Sequence, residues 1–408
     1  MRTYSFYKIG LLCLAILVVD ILAFYWLQSI TKLYLSPALA TSVHVLFWIF
    51  TIGLISAILW IKYSLDSINP RRRQRLIASF YGLTVSSFIP KIIFVMVISF
   101  MYYTNYLISK EESLILVPIV GLLSGFLPFF VIISGIFRSL YRFKIYKVKI
   151  PSSQLPDAFD GVKIVQISDL HLGSLNYKYD ILYKITQIVN ELEPDIICFT
   201  GDLVNNYAWE LEGWDLPFSM FKAKLGKFAV LGNHDYGDYS EWNSESEKEE
   251  NLNTIKQFFE KTDFRLLLNA SEKTIINSDQ IAIVGVENWG LPPFKQYGDL
   301  DKAMSAVKDV PFKIVLSHDP SHWKEDIVQN TDAILTLSGH THGMQVGIQF
   351  KRLYWSPIKY KYKQWAGLYQ ENGQYLYVNR GLGWLGFPGR LGMRPEITLI
   401  ELAQNEME

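Results

Sequence analysis

Phe228-Ala229-Val230-Leu231 runs without a break into Gly232-Asn233-His234-Asp235. An apolar stretch of strand type thus ends in an amide, an imidazole and a carboxylate, with a glycine at the turn. The arrangement recurs along the chain. Val162 to Ser168 leads to Asp169-Leu170-His171, and Asp195 to Thr200 leads to Gly201-Asp202. Lys313 to Leu316 precedes Ser317-His318, and Ala333 to Leu337 precedes Gly339-His340-Thr341-His342. Five of the seven histidines lie in these stretches.

Each motif alone is common, but five of them in register with strands form a strong signal. The plain alternative, ordinary core or surface histidines, fits a lone histidine better than this set. Carboxylates, an amide oxygen and imidazoles suit a pair of divalent cations, Mn, Fe or Zn rather than Ca, with Mn expected. Two such ions roughly 3.5–4 Å apart can hold a nucleophilic hydroxide and phosphoryl oxygens together. A carboxylate must bridge them, and Asp202 is the candidate. Asn233 offers a neutral oxygen that adds no charge. The chemistry implied is metal-dependent hydrolysis of phosphate esters.

The strand-type segments continue at Ile281 to Val286, Gln374 to Val378 and Glu396 to Glu401. Helices are expected at Tyr179 to Leu192, stopped by Pro194, and at Ser244 to Lys261. Early βαβ alternation followed by strand-rich sequence predicts an αββα sandwich with two sheets over residues 157–408. Residues 138–156 are expected to be a basic, aromatic linker.

Residues 1–137 read differently. Apolar stretches at Ile9 to Ile30, Val43 to Ile61, Ala78 to Tyr102 and Ser113 to Phe137 are long enough to span a bilayer, which takes ~20 helical residues. They are apolar on all faces, unlike helices of a soluble domain. The third contains Pro90 and Lys91. Residues 1–150 hold 15 Lys or Arg against 4 Asp or Glu, and the remainder 24 against 35, so a net charge of zero hides two opposed halves.

Arg2, Lys8, Lys62, Arg71, Arg72, Arg73, Arg75, Arg138, Arg142, Lys144, Lys147 and Lys149 all fall on one side of a four-span path. Only Lys32 and Lys110 fall on the other. This places the C-terminal half in the cytoplasm of a multi-pass protein of the cell membrane. A cleaved signal peptide ending at Ala38-Leu39-Ala40 would instead leave three spans and an extracytoplasmic domain, but its apolar core is too long for that. Within the spans, Asp20 is expected to pair inside the bundle, Lys91 to snorkel and His44 to sit at an interface. Cys13 and Cys198 lie in different halves, and no disulfide is expected between them.

From about Gly161 to Leu402 the chain resembles the calcineurin-like metallophosphoesterase superfamily, most of all its membrane-associated YkuE/YaeI-like branch. Ser168-Asp169-Leu170-His171-Leu172-Gly173, Gly201-Asp202-Leu203-Val204, Gly232-Asn233-His234-Asp235, Ser317-His318-Asp319-Pro320 and Gly339-His340-Thr341-His342-Gly343 carry the resemblance. Arg380-Gly381-Leu382-Gly383 and Arg394-Pro395-Glu396-Ile397 add to it. It implies that Asp169, His171 and His342 bind one metal, that Asn233, His318 and His340 bind the other, and that Asp202 bridges. His234 would face the phosphate and stabilise the transition state or protonate the leaving oxygen, oriented by Asp235. One departure is Gly343-Met344-Gln345, where this branch has Gly-Gly-Gln, which puts Met344 at the pocket mouth.

Read from the residues, Asp235 is either an orienting partner of His234 or a turn cap. His322 reads as a surface or supporting residue. Arg390 and Arg394 either grip a phosphate or pair with Glu396. Lys351 to Lys363 interleaves cations with Tyr354, Trp355, Tyr360 and Tyr362, and Trp384 to Arg390 is a Gly/Pro-rich loop with large apolar groups. Both stretches suit a membrane interface or, equally, an edge strand and a packed loop.

The expected protein is therefore a membrane-anchored two-metal phosphoesterase. Metal-bound hydroxide would attack a phosphodiester or pyrophosphate. The bilayer is its expected partner and a lipid-linked substrate is expected; the resemblance implies, as an example, a UDP-diacylglucosamine-type pyrophosphate. A phosphodiesterase on soluble nucleotides and a non-catalytic metal-binding sensor are the rival readings. No nucleic-acid partner is expected, and the sequence leaves the oligomeric state open.

Overall fold

The computed structural model describes residues 5–64, 67–109, 113, 115–175, 178–350 and 353–404. Arg2, Lys110 and Lys351 lie outside them. The chain divides into two compact units, residues 2–137 with 386–389, and residues 138–385 with 390–408.

The first unit holds four long helices: α1 (Phe6–Tyr34), α2 (Pro37–Ser64), α3 (Pro70–Ser109) and α4 (Leu116–Phe137). All four are long and apolar enough to cross a membrane. The third stretch is a continuous 40-residue helix despite Pro90. Most apolar side chains stay on the outside, as expected where lipid is the solvent. Asp20 of α1 does pair inside the bundle. Its carboxylate accepts two bonds of 2.8 Å from Lys91 Nζ of α3 and another from the Thr51 hydroxyl of α2. Lys91 is therefore tied to Asp20 rather than snorkelling. His44 meets the Thr31 hydroxyl at 2.8 Å.

The second unit is the expected sandwich. Its strands are β1 (Lys144–Pro151), β2 (Lys163–Ile167), β3 (Ile196–Phe199), β4 (Gly226–Ala229), β5 (Arg265–Leu266), β6 (Ala270–Ile276), β7 (Asp279–Gly285), β8 (Lys313–Leu316), β9 (Leu335–Ser338), β10 (Ile348–Phe350), β11 (Leu353–Trp355), β12 (Gly367–Glu371), β13 (Gln374–Val378) and β14 (Glu396–Ala403). One six-stranded sheet has the order β1-β14-β2-β3-β4-β5 and the other β12-β13-β9-β8-β7-β6. The segment expected to be a linker is thus partly sheet. Lys144–Pro151 pairs in parallel with all eight residues of β14. Its alternation of Lys and Tyr with Val and Ile is that of an edge strand with one wet face.

Side chains alternate across the pleat and explain the two cores. Ile164, Ile196, Cys198, Ile314, Leu316 and Leu337 meet between the sheets. Val165, Ile167, Ile197 and Phe199 face outward onto α5 (Tyr179–Glu191) and α6 (Glu245–Lys261). Val284 and Val315 face the opposite way, onto Trp323 and Ile327. Strands buried on both faces need unbroken apolar runs, which is what the sequence shows. Ser244 caps α6, with its hydroxyl accepting the Glu247 N–H at 3.1 Å.

Candidate metal centre

Six parallel strand ends meet at one place. β2, β3 and β4 are mutually parallel, as are β8, β9 and β13. Asp169, Asp202 and Asn233 follow the first three, and His318 and His340 follow β8 and β9. The carboxyl ends of parallel strands are where such folds gather functional groups. The sequence reading gave the sharp turns to glycines. Gly201 does take a left-handed φ of 96°, but Asp169, His171, Asp202, His340 and His342 are themselves left-handed, with φ of 46–70°. Such backbone is disfavoured for residues with a Cβ by roughly 1–2 kcal/mol each. It turns five side chains inward at once.

Two groups result. Asp169, His171 and His342 bring ligand atoms together, and so do Asp202, His318 and His340. In the first, His171 Nε2 lies 3.1 Å from His342 Nε2, and His342 Nε2 lies 3.2 Å from Asp169 Oδ1. In the second, His340 Nδ1 lies 2.8 Å from Asn233 Oδ1 and 3.3 Å from His318 Nε2. Asp202 Oδ2 belongs to both, 3.5 Å from His171 Nε2 and 3.3 Å from His318 Nε2.

Hydrogen bonds behind the rings set which nitrogen faces inward. His318 Nδ1 donates to the Thr200 carbonyl at 2.7 Å, which leaves Nε2 toward Asp202. His340 Nε2 meets the Tyr362 hydroxyl at 2.8 Å, and that hydroxyl reaches Asp319 Oδ2 at 3.3 Å. Asn233 Nδ2 donates to the Tyr239 hydroxyl at 2.9 Å, turning Oδ1 inward.

Electrostatics support the same roles. Burial brings the His171 imidazole down to about 3 and also lowers His340, so both stay neutral donors. Burial resists ionisation of Asp169, but His342 and His318 beside it bring its carboxyl down to about 2. Burial likewise opposes charge on His318, yet Asp202 lifts it to about 10, so without metal its Nε2 keeps a proton that a bound ion would have to displace. A close pack of lone pairs, held by groups behind them, fits a pair of divalent ions.

His234 is half-buried, its ring 5.1 Å from that of His171. Its Nδ1 donates to the Asn205 carbonyl at 2.7 Å. Asp235 is not its orienting partner. The Asp235 carboxylate accepts four backbone N–H groups, from Asp202, Leu203, Val204 and Gly232, at 2.9–3.1 Å. It is the turn cap of the two alternatives, and it holds the loop carrying Asp202.

The two arginines also depart from expectation. Arg390 is fully buried and donates to the carbonyls of Gly383 and Arg380. Arg394 donates to the carbonyls of Arg142 and Phe143. Neither pairs with Glu396, which takes Arg380 instead. The N–H groups of both arginines thus bond backbone carbonyls, and Arg390 Nη2 also lies 3.4 Å from His342 Nδ1, behind the metal-facing side of that ring. His322 is buried, stacked on Trp289 at 4.6 Å and bonded to the Ser317 hydroxyl at 2.8 Å. Tyr362 is buried and Tyr354 stacks on Trp365, so only part of that aromatic stretch, such as Tyr360, faces outward. Met344 has φ of 55°, a conformation suited to glycine, and its side chain is 52% exposed.

Sequence reading missed Tyr239 and Asn205, and it named Tyr362 only within a stretch suited to a membrane interface or an edge strand. Asp319 stood in a quoted motif without a role. The tyrosines carry no local signal, because only the fold brings them to the site.

Residues 162–344 match the family described as calcineurin-like phosphoesterase, and residues 2–140 match a probable calcineurin-like phosphoesterase transmembrane domain. The uncharacterized metallophosphoesterase YkuE of Bacillus subtilis (strain 168) is 33% identical over 263 residues, covering 62% of this chain and 83% of that protein. A transmembrane protein with metallophosphoesterase domain from Danio rerio is 29% identical over 279 residues, 64% of this chain, and the chain spans 57% of its length. An uncharacterized metallophosphoesterase of Helicobacter pylori (strain ATCC 700392 / 26695) is 27% identical and covers 78% of this chain and 80% of that protein. Four apolar helices followed by converging carboxylates and imidazoles agree with both matched models, and the chain belongs to the calcineurin-like phosphoesterase family.

Proposed function

We propose that this chain is a membrane-bound, metal-dependent phosphoesterase that hydrolyses a phosphodiester or pyrophosphate in a lipid-linked substrate. The observation that carries the hydrolase reading is the single oxygen Asp202 Oδ2, faced by His171 on one side and His318 on the other. A shared carboxylate oxygen is what two neighbouring dications require. Asp169, His171 and His342 would hold one ion, Asn233, His318 and His340 would hold the other, and Asp202 would be shared between them. The mixed nitrogen and oxygen donors suit manganese, iron or zinc, and manganese is the metal proposed. Bound there, the metals supply a nucleophile at neutral pH and neutralise phosphoryl oxygens.

The protein's own residues do the rest. His234 keeps Nδ1 on Asn205, so Nε2 is the atom that meets the phosphate or passes a proton to the leaving oxygen. Asp235 keeps the Asp202 loop in place. The four apolar helices support a substrate that itself resides in the bilayer, with a UDP-diacylglucosamine-type pyrophosphate as the chemical example. The one-sided basic loops support a cytoplasmic catalytic domain.

The test is turnover by purified, manganese-loaded, full-length protein in detergent. Faster cleavage of the lipid pyrophosphate than of a nucleotide phosphodiester supports the proposal. The reverse order moves the substrate into solution. Two bound metals with neither ester cleaved leaves only a metal-binding sensor.

A further inference from the structure

One buried carboxylate beside the site has no role in the scheme above. Glu210 is 1% exposed and sits on the short turn Ala208–Leu211. Its Oε2 accepts the Asn205 N–H at 2.6 Å, and its Oε1 faces the Tyr207 N–H at 3.4 Å. The N–H groups of Asn206 and Gly173 also favour its charge, while burial pushes it up to about 7. Gly173, two residues past His171, makes room for it, since a Cβ there would overlap the carboxylate.

Asn205 is held at both ends and by its side chain. Glu210 takes its N–H. Its side-chain amide exchanges bonds of 3.1 and 3.2 Å with the Ser174 hydroxyl, on the loop after His171. Its carbonyl receives His234 Nδ1. The Asn206 N–H belongs to the same peptide unit as that carbonyl. Negative charge at the N–H end of a peptide makes its oxygen a stronger acceptor.

We propose that Glu210 is a positioning residue for His234: it clamps and polarises the Asn205–Asn206 peptide, and so fixes the proton on Nδ1 and keeps Nε2 turned to the site. The rate part of this proposal rests on the role given to His234 above. The tautomer part rests on geometry alone.

The test uses full-length Glu210→Gln in detergent, which keeps the shape and removes the charge. In metal-free protein labelled with nitrogen-15 histidine, the His234 signal is the one missing from His234→Ala. Wild type should show only the Nδ1–H tautomer, and Glu210→Gln a mixture of the two. With manganese and a series of aryl phosphodiesters, the variant should lose about 10-fold or more in kcat. That loss should grow with leaving-group pKa, with KM and metal content unchanged, and should vanish in a His234→Ala background.

An unchanged tautomer, an equal loss for every leaving group, or the same loss without His234 would each overturn the proposal. Should Glu210→Gln not fold, Glu210→Asp keeps the charge but shortens the reach, and the same tautomer shift is expected. If no ester is cleaved even by wild type, the proposed function fails while the tautomer still decides the role of Glu210.

Discussion

His318 Nε2 lies 3.3 Å from Asp202 Oδ2, and the other nitrogen of the same ring is committed to the Thr200 carbonyl. The ring cannot turn without losing a buried hydrogen bond, so the nitrogen it presents inward is preset. The same oxygen is 3.5 Å from His171 Nε2. Asp202→Asn keeps the volume and removes the charge between the two groups. It should lower metal content from two ions per chain to one or fewer and cut turnover by about 100-fold or more. Elemental analysis of the purified variant decides this, and two retained ions would contradict the shared-ligand reading.

His234 stands apart from the two groups, with its Nδ1 on a carbonyl. His234→Ala should keep both metals and lose about 10²–10⁴ in kcat, most for poor leaving groups. Loss of metal in this variant would make His234 a ligand instead.

Asp235 gathers four N–H groups around one buried carboxylate. In Asp235→Asn the amide can no longer accept from all of them. A hydrogen bond to a charged group is worth about 1.5–3 kcal/mol, so a drop in thermal stability of at least that order is expected, with metal content falling alongside. Thermal unfolding measures it. A variant of normal stability, impaired only with poor leaving groups, would restore the orienting role.

Glu210 leaves a signature in the pH dependence of stability. Burial raises its carboxyl from the usual 4.5 to about 7 in the folded chain. The folded state therefore binds this proton more tightly than the unfolded state. Its contribution is present below pH 4.5, declines as pH rises toward about 7 and is flat above, a change of about 3 kcal/mol at most. Melting curves of metal-free wild type and Glu210→Gln should converge or cross between these pH values. Parallel curves would show that Glu210 titrates normally.

Membrane topology is open to a direct assay. Cys198 is fully buried and Cys13 lies within α1, so a cysteine introduced near the C-terminus supplies the accessible thiol. A membrane-impermeant maleimide should label it only after permeabilisation. Labelling of intact cells would put the domain outside.

The order of the parts was legible in the chain before any fold was known. Four uniformly apolar stretches can only be stable where no water meets them, and strands buried on both faces demand the apolar runs seen at Val162–Ser168 and Asp195–Thr200. The types and spacing of Asp169, His171, Asp202, Asn233, His318, His340 and His342 made their chemistry legible because each stands right after a strand. What the fold alone decided is which groups touch. Asp235 turned to backbone N–H groups and left His234 to Asn205; Arg390 and Arg394 were taken by carbonyls; residues 144–151 joined a sheet through pairing with β14, which lies some 250 positions away. Tyr239 and Glu210 came to the site with no local pattern, and Tyr362, legible only as part of an aromatic stretch, turned to His340. A hydrogen bond is settled by distances of a few tenths of an ångström between remote segments, and such distances exist only once both sheets have closed.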